Sequence, residues 1–137
     1  MSSKPPTLYH IHGGAWALLH SCAYNHIFRD LTEASSSQIM SIEYRLAPQV
    51  PVLSQLEDVF AGYFYLTAPE SDRGSGNKTS QIVVGGESAG AHFSSSLIHI
   101  LRNANKPSPA GAYLISPAVD LTFSQPSFFV NSERDYL

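Results

Sequence analysis

The chain has 137 residues, of which 14% are charged, and a formal net charge of −3. That length suits one domain, and a charged share well under the usual figure of about 25% suits a polypeptide made mostly of buried sheet and covering helices. The acidic balance gives no electrostatic case for nucleic acid or an anionic membrane surface. The lone Cys22 excludes an internal disulfide, and no apolar run approaches the ~20 residues of a spanning helix. No basic stretch followed by an apolar core opens the chain as a secretory signal would. No metal or cofactor pattern stands out, so neither is expected.

Residues 7–12 read as a strand that runs into Gly13-Gly14-Ala15-Trp16. Two consecutive glycines after a strand free the main chain to aim N–H groups at an incoming oxyanion. A helix is predicted over 21–35, where Tyr24, Ile27, Phe28, Leu31 and Ala34 recur at helical spacing. Residues 38–44 read as the second strand and lead into Arg45-Leu46-Ala47-Pro48. Pro51 suits the start of a second helix, with Val52, Leu53, Leu56, Val59, Phe60, Tyr63 and Leu66 as its apolar stripe and Glu57 and Asp58 facing out. Residues 68–80 are turn-rich and read as a solvated surface loop.

The third strand, 81–86, delivers the chain to Gly86-Glu87-Ser88-Ala89-Gly90, and a helix over 89–104 follows with Phe93, Leu97, Ile100 and Leu101 on its buried face. A turn tight enough to lift a serine clear of a sheet leaves no room for side chains two positions either side, which accounts for Gly86 and Gly90. Ser88 is therefore the candidate nucleophile. A fourth strand over 111–116 precedes Pro117-Ala118-Val119-Asp120-Leu121 and a tail, 123–137, that carries Phe128 and Phe129. Strict alternation of four strands and three helices predicts right-handed crossovers: an α/β fold, a three-layer sandwich around a parallel sheet.

The ordered set His12-Gly13-Gly14-Ala15, Tyr44-Arg45-Leu46-Ala47-Pro48, Gly86-Glu87-Ser88-Ala89-Gly90 and Ser116-Pro117-Ala118-Val119-Asp120-Leu121 resembles the hormone-sensitive-lipase-like branch of the α/β-hydrolases. That branch carries HGGG, YRLAP, GDSAGG and SPW-x-DL in this order. The resemblance implies a partial α/β-hydrolase domain over 1–137 with its second strand at one edge, followed by the first, third and fourth. It also implies cleavage of a small-molecule carboxylic ester through an acyl-enzyme on Ser88. Gly13, Gly14, Ala15 and Ala89 would supply the oxyanion N–H groups, and His12 would brace the loop. Glu87 stands where the family more often has Asp, and Ala15 where it has a third glycine.

The same resemblance places the triad's acid and histidine after the last strand found here, beyond Leu137. The remaining histidines, His10, His20, His26, His92 and His99, read as structural, and Asp120 as a weak substitute acid. Two other readings stand beside the esterase: an amide-cleaving relative of the kynurenine formamidases, which share an HGG-x-W turn and a G-x-S-x-G elbow, and a non-catalytic hydrolase-fold protein. By itself the 137-residue chain is expected to be inactive.

Overall fold

A computed structural model describes residues 4–135. The elements are β1 (Thr7–Ile11), α1 (Asn25–Ser35), β2 (Gln38–Ile42), α2 (Val52–Thr67), β3 (Ile82–Glu87), α3 (Ala89–Asn103), β4 (Gly111–Ile115) and the short α4 (Pro126–Val130). The four strands form one parallel sheet in the order β2-β1-β3-β4, as the resemblance implies. Chain direction switches between β1 and β3, so the turns that follow these two strands emerge side by side at their carboxyl ends.

Alternation along β1 assigns the layers. Tyr9 and Ile11 are fully buried toward α2 and α3, and the Tyr9 hydroxyl donates to the Val59 carbonyl at 2.8 Å. Gly62 makes that approach possible, since a Cβ there would lie 2.2 Å from the Tyr9 oxygen. His10, on the opposite face, packs against Tyr24 and Phe28 at ring-centroid separations of 5.0 and 4.9 Å. The sheet thus lies between α1 on one side and α2 with α3 on the other. The core joins Tyr9, Ile11, Tyr44, Val59, Tyr63, Leu66, Ile82, Val84, Phe93, Leu97 and Leu101.

Several expectations need correction. The 21–35 helix is split: residues Ser21–Tyr24 form a 3-10 turn before α1 begins. No residue of α1 is buried; Phe28 packs on His10 but stays half-buried, and Ile27 and Leu31 stand 43% and 38% exposed. In α2 the predicted stripe holds for Val59, Tyr63 and Leu66, but Leu53 is exposed and Gln55 is buried in its place. Asp58 does not face free solvent; it takes Arg45 Nε at 2.8 Å and Nη2 at 2.8 Å. Ile100 of α3 is exposed, while Ser94 is buried with its hydroxyl donating to the Gly90 carbonyl.

The 68–80 segment is a surface loop, as its composition suggests, with Asn77 its one buried residue. It holds 3-10 turns at Glu70–Asp72 and Thr79–Gln81. Asn77 is buried and donates from Nδ2 to Thr7 Oγ1 at 3.1 Å, while Lys4 ties Glu70 and the Ser75 carbonyl to the start of β1. In the tail, α4 exposes Phe128 and Phe129, and residues 136–137 lie outside the described residues.

Candidate active site

Ser88 sits at the β3–α3 junction with φ 52° and ψ −118°, a sparsely populated conformation for a residue with a side chain. Holding it there costs about 1–3 kcal/mol, so the surroundings must over-determine the turn. They do so from three directions. The Ser88 N–H donates to the Ile115 carbonyl at the end of β4. The Ser88 carbonyl accepts from His92 N–H at 3.0 Å and Ala118 N–H at 3.4 Å. Gly86 and Gly90 press against the end of β1, since a Cβ on either would fall 1.9 Å from the Ile11 carbonyl oxygen. Ser88 is left exposed above the sheet.

The turn after β1 carries left-handed backbone at Gly14 (φ 110°), Ala15 (φ 51°) and Trp16 (φ 62°). Gly14 is required, because a Cβ would lie 2.1 Å from the Leu18 carbonyl oxygen. Ala15 adopts the left-handed conformation despite its methyl group, at about 1–2 kcal/mol. The shape is held by a set of specific bonds. His12, fully buried, donates from Nδ1 to the Gly13 carbonyl at 2.7 Å. The Tyr44 hydroxyl donates to the His12 carbonyl at 2.8 Å, and the two rings stack at 4.3 Å. The Trp16 carbonyl accepts from Ala47 N–H and from Gln55 Nε2, which explains the buried glutamine of α2. Farther on, Glu43 accepts from the Ser21 N–H and hydroxyl.

The two turns touch. Gly13 N–H donates to Glu87 Oε1 at 2.5 Å, directly beside the elbow. The N–H groups of Gly14, Ala15 and Ala89 have no hydrogen-bond partner among the described residues. Glu87 Oε2 also lies 3.6 Å from His10 Nε2. Burial pushes the His10 pKa down, against the opposing pull of Glu87. Burial, and then the same carboxylate, push the Tyr24 hydroxyl up to about 12.

Two of the other histidines have structural bonds. His92 donates from Nδ1 to the Ala118 carbonyl at 2.8 Å and meets the edge of Trp16. His99 does the same to the Ser95 carbonyl within α3, and His20 and His26 are exposed. Asp120 closes its own turn, accepting from the N–H and hydroxyl of both Thr122 and Ser124. Those donors, Ser124 first, hold its carboxyl well below the usual carboxylate range. An acid so engaged is poorly placed to orient a histidine. A groove of about 470 Å³ opens beyond His92, lined by Leu56, Ser95, His99, Ile100 and Val119, and Ser88 does not line it.

Tyr44 has a direct hold on the glycine turn. Tyr44→Phe keeps the stacked ring but leaves the His12 carbonyl unpaired at a position where Tyr44 is 1% exposed. We expect it to lose about 1–3 kcal/mol of unfolding free energy in a urea titration. A loss below the measurement error would show that the bond is replaceable by water.

A sequence profile described as alpha/beta hydrolase fold matches residues 8–137. An acetyl-hydrolase of Streptomyces hygroscopicus is 30% identical over 131 residues, covering 96% of this chain and 42% of that protein. An esterase of Acinetobacter venetianus is 29% identical over 136 residues, covering 99% and 43%. Among solved structures, an esterase from the bacterial hormone-sensitive lipase family superposes with a TM-score of 0.86 at 27% identity, covering 98% of this chain and 43% of its own. The chain spans less than half the length of these relatives.

Proposed function

The chain belongs to the alpha/beta hydrolase fold family, in its hormone-sensitive-lipase-like esterase branch, and from that premise we propose that Ser88 is the nucleophile of a carboxylic-ester hydrolase. The observation that supports this best is the pairing of two costly backbone features at one place. An exposed serine held at φ 52° stands beside a turn held at φ 110°, 51° and 62°.

In the proposed reaction Ser88 Oγ attacks the ester carbonyl carbon and passes its proton to a base. Charge gathers on the carbonyl oxygen as the carbon becomes tetrahedral. The unpaired N–H groups of Gly14, Ala15 and Ala89 are the donors, Ala89 with the positive end of α3 behind it. Gly13 is assigned a different role, because its N–H faces Glu87. Collapse expels the alcohol and leaves the acyl group on Ser88; water then releases the acid. Each oxyanion donor lowers the barrier by about 2.7–4 kcal/mol.

The base and its orienting acid are assigned to a part of the protein outside these residues. His10 and His12 are buried, and His92 is fixed by its Nδ1 bond to the Ala118 carbonyl and by the edge of Trp16. The ester reading is tested on protein that carries this segment together with its triad partners. It is expected to turn over p-nitrophenyl butyrate and leave N-formylkynurenine nearly untouched. Preference for the formamide would replace the esterase by an amide hydrolase.

A further inference from the structure

We propose that Glu87 is a positioning residue: its carboxylate latches the oxyanion turn to the nucleophile elbow by holding the Gly13 N–H. The proposal rests on the reading that the 12–16 turn receives the oxyanion. Residues 13 and 87 are 74 positions apart in the chain, yet they are joined by a single charge-assisted bond of 2.5 Å. The approach needs glycine at 13, where a Cβ would lie 2.9 Å from the Glu87 carbonyl oxygen and 3.0 Å from Oε1.

The carboxylate has His10 as a second neighbour. The Tyr113 hydroxyl lies 2.7 Å from His10 Nδ1, and Glu87 Oε2 lies 3.6 Å from His10 Nε2. The two oxygens of Glu87 have different neighbours. Oε1 takes the turn, and Oε2 faces, without a hydrogen bond, a histidine that is 5% exposed between α1 and the sheet. A neighbouring amide N–H, such as that of Gly14, keeps its direction because the peptide before it cannot rotate.

The test reads the Gly13 amide by ¹H–¹⁵N spectroscopy of the full 137-residue chain. In the parent sequence the Gly13 proton is expected far downfield and slow to exchange. In Glu87→Ala it moves upfield and exchanges roughly ten- to hundredfold faster, the loss of one bond to a charged acceptor. Glu87→Gln keeps an acceptor oxygen without the charge, so an intermediate shift is expected with the rest of the spectrum in place. If Glu87→Ala does not fold, the glutamine variant decides. A Gly13 resonance that neither shifts nor loses protection in a folded variant overturns the latch. Neither readout needs turnover, so the latch can fail while the esterase reading stands, and the reverse.

Discussion

Gly90→Ala is expected to leave the chain unable to reach this structure. The added Cβ would lie 1.9 Å from the Ile11 carbonyl oxygen, 2.6 Å from its carbon and 2.7 Å from the His12 oxygen. All three are backbone atoms at the end of a central strand, whose Ile11 pairs with Gly86 in β3. No side chain can rotate away to make room. Ordinary overpacking costs about 1–3 kcal/mol because neighbours adjust; here relief requires moving the start of α3 off the end of β1, so we expect more than about 4 kcal/mol. Gly111→Ala is the control, since nothing lies within 4 Å of its Cβ. It should fold like the parent, whereas Gly90→Ala should give little soluble protein and no cooperative melt by circular dichroism. A Gly90→Ala melt within a few degrees of the parent would mean that the elbow is not packed on β1.

The second large effect concerns turnover. The 137-residue chain is expected to hydrolyse p-nitrophenyl butyrate at the buffer rate, indistinguishable from its Ser88→Ala variant. A serine hydroxyl without a base is a poor nucleophile at neutral pH, however well its oxyanion donors are placed. Where the triad partners are present, Ser88→Ala should lower kcat by roughly 10⁴- to 10⁶-fold, since the three groups act as a unit. Turnover by the 137-residue chain that disappears in Ser88→Ala would contradict this assignment. It would require one of the residues described above to accept the proton, with His92, one helical turn beyond Ser88, the first to substitute.

The strands, the long helices and the elbow were legible because their causes are local. The apolar run at 82–84, and a serine flanked by glycines at 86 and 90, record requirements that act over a few positions. Sheet order was a different matter: it followed from resemblance, not from spacing. What stayed hidden was mostly polar and long-range. Gln55 lies on an apolar face because the Trp16 carbonyl, 39 positions earlier, needs a donor. Asn77 leaves its loop to reach Thr7, 70 positions away. The amphipathic pattern of α1 promised a buried stripe, but periodicity only says which face could be covered.

By itself, then, the chain of residues determined the elements, the family and the serine, since sterics between near neighbours select a backbone and a family keeps those letters in order. Tertiary structure alone decided which amide of the 12–16 turn is already taken. Gly13, Gly14 and Ala15 are equivalent donors on paper; they differ because a carboxylate 74 residues on in sequence takes the first. A hydrogen bond uses up a specific N–H, and only packing brings the acceptor to it.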